Sequence, residues 1–147
     1  MIDTVTQSWR VQELITRLFV GTDRRDWAAV RRCFAPTVRF DMTSLAGGSP
    51  ASLTPEQITS AWETGLAPIE SVHHQAGNFL IDVRGDDATA SCYGIALHYK
   101  KTASGRNVRT FVGSYDFALH YAGADWVITS FRFNLKFLDG NTELEKG

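Results

Sequence analysis

Two histidines, His74 and His98, lie inside long apolar runs of β type, and an isolated acid, Asp23, stands in a turn far upstream. Histidine is the side chain whose unperturbed pKa lies near neutrality, so a buried pair beside a carboxylate is suited to moving protons. The plainer reading of each is a packing histidine satisfied by hydrogen bonds. Neighbours on a strand face opposite ways, so of His73 and His74 only one can point into a given cavity. By alternation His74 shares a face with Ala76, Asn78 and Leu80, and His73 with Gln75, Gly77, Phe79 and Ile81. His98 shares its face with Cys92, Gly94 and Ala96, small residues that leave room for a pocket wall. On the following run Ser114 and Asp116 sit with Val112 and Ala118. An acid in an apolar strand needs a partner, and an ion pair with Arg132 accounts for Asp116 as readily as a functional role does.

These residues need elements to carry them. Val11, Leu14, Ile15, Leu18 and Phe19 recur at helical spacing, and Gly21 is placed to end that helix in a left-handed cap. Asp26 is suited to cap a short helix burying Trp27, Val30 and Phe34, which must stop before Pro36. Val38, Phe40 and Met42 alternate with polar residues as in a half-buried strand. Residues 43–53 read as a Gly/Ser/Pro-rich loop, and Thr54-Pro55-Glu56-Gln57 as a capping box opening a helix that buries Ile58, Ala61, Trp62 and Leu66. The period then changes. Residues 71–84, 88–101, 108–121 and 126–138 are β-branched and aromatic runs separated by short turns, which predicts an antiparallel meander. Gly77, Gly94 and Gly113 fall mid-strand, where bends or bulges form.

Composition removes several classes of function. With 147 residues the chain has single-domain length, and a net charge of -1 offers no basic face for nucleic acid. Cys33 and Cys92 are too few for a disulfide framework and read as small buried residues. The start, Met1 to Trp9, has no signal-peptide pattern and no run has membrane-span length, so a cytoplasmic protein without membrane partners is expected. Dinucleotide, Walker and zinc motifs are missing, and Gly47-Gly48-Ser49-Pro50-Ala51 departs from the nucleophile elbow at its last position. No local ligand spacing suggests a metal.

Residues Asp26 to Asp41, His73 to Gly77, Gly113 to Phe117 and the final run from Trp126 to Phe137 resemble SnoaL-like and scytalone dehydratase-like proteins of the NTF2-like superfamily. The resemblance implies an α+β domain over residues 1–147: an NTF2-like (cystatin-like) cone with N-terminal helices packed on a strongly curved, mainly antiparallel sheet. About residues 140–147 are expected to form a polar C-terminal tail. In the dehydratase branch an aspartate supports one pocket histidine while a second histidine acts as base. Asp23 falls at the aspartate's position and His74 at the base's. His98 matches the supported histidine if one residue is gapped in the intervening hairpin, a register in doubt between His98 and Tyr99. Ser114 and Asp116 fall near pocket-lining polar residues. The branch holds its substrate carbonyl with two tyrosines, and Thr22 and Met42 occupy those positions here. Tyr93, or Tyr115 if a strand is offset, is the available substitute.

The resemblance therefore implies a cofactor-independent, metal-free dehydratase, isomerase or cyclase acting on a small apolar or aromatic carbonyl compound. The alternative is a non-catalytic ligand-binding or accessory subunit of the same fold. The abundant strand aromatics lead to the expectation of a homodimer or homotrimer.

Overall fold

Asp3 accepts a hydrogen bond from the Val5 amide and so starts helix α1, Thr4–Asp23, in the computed structural model, which describes residues 3–147. Val11, Leu14, Ile15, Leu18 and Phe19 form its buried stripe. The helix does not end at Gly21. That residue lies within it, and a Cβ there would come within 3.0 Å of Val30 Cγ2, so its role is to let the next helix close in. The left-handed residue is Arg25, at φ 58. Its guanidinium donates to the carbonyls of Leu66 (3.0 Å) and Ile69, which offsets the backbone cost. The extra turn is consequential, because it carries Asp23 round to the face that already holds Phe19, four residues earlier.

Asp26 caps α2, Trp27–Arg31, through the Ala29 amide. The chain is extended again from Phe34, earlier than its alternation predicts, in strand β1, Phe34–Asp41. The segment read as a loop contains a single helical turn α3, Thr43–Ala46, and a short strand β2, Ala51–Leu53. Both are too short for periodicity to reveal. The Thr54–Gln57 capping box is formed in full at the head of α4, Pro55–Leu66.

Four long strands follow: β3 Ser71–Arg84, β4 Asp87–Tyr99, β5 Val108–Tyr121 and β6 Trp126–Gly140. They make one six-stranded sheet in the order β2-β1-β6-β5-β4-β3, antiparallel except for the parallel pair β1–β6. Helices ahead of a curved meander make this an α+β fold, as expected. The concave face and the helices enclose the core, in which Trp126, Ile128, Ile15, Leu18 and Val38 are fully buried.

Parity along β3 changes at a bulge. Asn78 adopts φ 56, and the register with β4 shifts between Gly77 and Leu80. His74 and Ala76 face inward, but beyond the bulge Phe79, Ile81 and Val83 take over that face, and Leu80 is turned out to solvent. Simple alternation assigned these residues the other way. On the convex face, Tyr93, Ile95, Leu97 and Tyr99 of β4 are exposed, as are Val108 of β5 and Phe137 of β6.

The end of the chain is polar in composition, yet it does not extend into solvent. Gly140, at φ 85, turns it back towards β5, and a short 3₁₀ turn, Leu144–Lys146, inserts a fully buried Leu144 against Ile69 and Val72.

Candidate active site

The two ends of the concave sheet face differ in what they pack against. Where α1, α3 and α4 leave it uncovered, a cavity of about 140 Å³ opens, lined by Phe19 and Thr22 of α1, Met42, Leu45 of α3, Trp62 and Leu66 of α4, and the inward residues of β3 to β6. Its wall is almost wholly apolar. The polar groups that reach it are His74, His98, Tyr115 and Thr22.

Asp23 and His74 make the tightest arrangement. One carboxylate oxygen, Oδ1, lies 2.6 Å from His74 Nδ1, and the other, Oδ2, accepts the backbone N–H of His74 at 2.9 Å. An ionised carboxylate can only accept, so in the neutral ring Nδ1 carries the proton and Nε2 keeps its lone pair. Phe19 stacks on the imidazole at 5.3 Å and 19°, which helps to fix its plane. Asp23 therefore orients His74. The family resemblance pairs Asp23 with His98, but the acid sits at the end of α1, which packs against β3, and it meets His74 instead.

His98 has a different partner. Arg109, directly opposite it across the β4–β5 ladder, places Nη2 3.0 Å from His98 Nδ1. A guanidinium has no lone pair to offer, so Nδ1 must accept and the neutral ring is protonated on Nε2. Burial disfavours the charged ring, and the neighbouring Arg109 charge and His74 add to this; the pKa of His98 falls to about 4. Neither histidine Nε2 has a protein hydrogen-bond partner among the described residues, and neither is sealed from solvent. The cavity thus receives one imidazole as acceptor and one as donor.

Tyr115 lies on the same face, because β5 runs without an offset against β4. Its ring fills the space above Gly94, where a Cβ would lie 2.3 Å from Tyr115 Cε2. Burial pushes the phenol pKa well up, which keeps it a proton-bearing donor. The signal in the sequence is the run of small residues on the facing strand: Ala96 lines the cavity, as the pocket-wall reading expects, whereas the space at Gly94 is taken by this ring. Thr22 donates its hydroxyl to the Leu18 carbonyl at 2.8 Å, so only its acceptor side remains for the cavity. Met42 contributes apolar wall alone.

Tyr93, Ser114 and Asp116 do not reach the cavity. They stand on the convex face with odd-even parity opposite to Cys92, Tyr115 and Phe117. Asp116 accepts from Arg132 Nη2 and Asn134 Nδ2, each at 2.8 Å, and Asn134 also reaches Ser114. Partial burial works against its ionisation, but those donors win and hold the carboxyl below its usual range. The ion-pair reading of Asp116 is the correct one. Tyr93 is exposed under the Lys136 ammonium, 3.7 Å from the ring centroid. Buried Cys33 and Cys92 have thiols raised to about 11 and about 12 by desolvation, which makes them poor nucleophiles. Among the described residues no group of three His, Cys, Asp or Glu side chains is assembled as metal ligands.

A family model described as a SnoaL-like domain matches residues 3–132. A protein of Kribbella flavida has a similar structure, with a TM-score of 0.92 at 19% identity, covering 99% of this chain and 100% of that one. The hexachlorocyclohexane dehydrochlorinase LinA-type3 from Novosphingobium barchaimii aligns at a TM-score of 0.78 and 11% identity, over 95% and 93% of the two chains. A proposed scytalone dehydratase from Novosphingobium aromaticivorans aligns at 0.80 and 13%, over 92% and 88%. At such identities these neighbours show the fold. No curated protein matches the sequence.

Proposed function

The chain belongs to the SnoaL-like family, and we propose that it is a cofactor-independent lyase or isomerase that removes a proton beside the carbonyl of a small, neutral, largely apolar compound. The observation that carries this reading is the opposed polarity of the two histidines. His74 Nε2, its ring held by Asp23, takes the proton. The imidazolium that forms is stabilised by the carboxylate without the proton crossing to it. Negative charge then builds on the carbonyl oxygen. His98 Nε2–H and the Tyr115 hydroxyl meet that oxygen as hydrogen-bond donors, and neither needs to ionise. The proton on His74 returns to another carbon in an isomerisation, or to a leaving hydroxyl in a dehydration.

Size and polarity narrow the substrate. An engineered apolar cavity of about 150 Å³ accommodates benzene, so the 140 Å³ here suits a compound built on one ring. Among the described residues no lysine or arginine lines the cavity, which disfavours an anion.

Solvent exchange of a small cyclic enone in D₂O, followed by NMR, tests the proton-abstraction step without knowledge of the natural substrate. The wild-type protein should speed loss of the α-proton signal. His74→Ala should lower that rate by about 10²–10⁴-fold, and Tyr115→Phe by about 10²–10³-fold. Undiminished exchange in His74→Ala would sink the assignment. Saturable binding of the enone with no exchange in the wild type would favour the alternative, a pocket whose histidines only hold a ligand.

A further inference from the structure

We propose that Arg109, anchored by Glu145 of the turned-back chain end, is a positioning residue that fixes His98 as a neutral Nε2–H donor toward the cavity; this rests on the reading of that cavity as a proton-abstraction site. Nothing in the acid–base scheme itself requires an arginine. One is nevertheless buried on the concave face, 8% exposed, with its Nε lacking a hydrogen-bond partner among the described residues. Its Nη2 serves two acceptors, His98 Nδ1 at 3.0 Å and Glu145 Oε1 at 2.5 Å, while Nη1 donates to the Thr142 carbonyl at 3.4 Å. The guanidinium also lies 5.2 Å over the Phe111 ring, which packs against His98.

The acid arrives from the far end of the chain by a built route. Gly140 admits a close approach that a side chain would block, since a Cβ would lie 2.3 Å from the Val108 carbonyl oxygen. The Asn141 amide then donates to that carbonyl, and Asn141 Nδ2 donates to the Arg106 carbonyl. Buried Leu144 holds the turn down, and Lys100 Nζ donates to the Glu145 carbonyl. Glu145 is thereby brought to Arg109, and its carboxyl is held below its usual range chiefly by the Arg109 hydrogen bond.

The consequence is a choice between tautomers. An imidazole in water interconverts freely, and either nitrogen can carry the proton. Arg109 accepts nothing, so it selects the form in which Nε2 donates. The charged and titratable groups facing His98 are Arg109 from β5, His74 from β3, Glu145 from the final turn and Asp23 from α1. Of these, Arg109 alone touches the ring nitrogen.

Nitrogen-15 NMR of histidine-labelled free protein tests this without any substrate. In the wild type, His98 should show an unprotonated Nδ1 and a protonated Nε2 from pH 6 to 8, with a titration midpoint near 4. In Arg109→Met the midpoint should rise toward the ordinary 6.5 as one of the two main causes of its depression is removed, and the Nδ1–H tautomer should appear. Glu145→Ala removes the acceptor that anchors Arg109 and changes a side chain that is 38% exposed, so it should fold even if Arg109→Met does not, and the Nδ1–H tautomer should appear there too. A wild-type His98 protonated on Nδ1, or an unchanged tautomer ratio in the folded variants, overturns the proposal. The spectra decide this even for a protein that catalyses no exchange. Conversely, exchange that survives in His74→Ala would defeat the proton-abstraction reading while leaving the tautomer result standing.

Discussion

Asp23 accepts two hydrogen bonds from a single residue, the backbone N–H and the ring N–H of His74. A carboxylate can do this with both oxygens, whereas an amide has only one acceptor. In Asp23→Asn, one of the two bonds must be lost, or the ring must switch tautomer and present Nε2–H to the cavity. The first loosens the hold on the ring that takes the proton, and the second places a proton on the accepting nitrogen itself. Enone exchange should therefore fall by about 10²–10⁴-fold while the fold, read by circular dichroism, is retained. An exchange rate within a factor of three of wild type would show that His74 does not need its orienting acid. The residue types of this site are legible in the sequence, where Asp23, His74 and His98 stand out by type and setting. Their pairing is not. Which histidine meets the acid depends on which strand α1 crosses, a tertiary fact that no local pattern encodes.

At the scale of elements, side-chain parity decided what could be read. On β4 and β5 alternation runs unbroken from the hairpin, so Tyr115 and Asp116 could be assigned to opposite faces, but which face was inner had to come from the packing of the helices. On β3 alternation fails at Asn78, and the sequence had no residue there that compels a bulge. Gly77 hinted at irregularity one position early. Gly94 is a case where the reason for a residue became visible only with its neighbour. Gly94→Ala drives a methyl group to within 2.3 Å of the Tyr115 ring, so the ring must move toward the cavity or the strands must part. A stability loss of about 1–3 kcal/mol is expected, measurable as a lowered denaturation midpoint in urea. Exchange should be lost together with it. An unaltered midpoint would mean that Tyr115 swings aside freely and is not a fixed donor.

Across the whole molecule, the buried neutral His98 ties stability to acid. The unfolded chain protonates this histidine near 6.5, whereas the folded chain does so only near 4. Between those values the unfolded state binds more protons, so the group's contribution is present above about pH 6.5, declines as pH falls, and is fully lost below about pH 4. Its size is at most about 3 kcal/mol, from a shift of some two and a half units. Urea unfolding at pH 7 and at pH 4.5 should show this loss in the wild type and a smaller one in His98→Asn, whose amide does not titrate. Equal losses in the two proteins would assign the acid sensitivity to other groups. The order of elements, helices ahead of a meander, was plain from the change of period, and with it the α+β class. The return of the polar chain end to bury Leu144 was not, because one leucine in a charged segment carries no periodic signal.

The parallel contact between β1 and β6 sets a timetable. Phe40 pairs with Phe131 and Arg39 with Ser130, so a strand formed early in the sequence waits for its neighbour until the whole meander has been laid down. Contacts of such long sequence separation close late and slow the search, and an α+β chain of this kind is expected to refold more slowly than a helical bundle of equal length. Until β6 arrives, β1 offers an open edge to any other strand nearby. Refolding yield should therefore decline with protein concentration even where the finished molecule is stable.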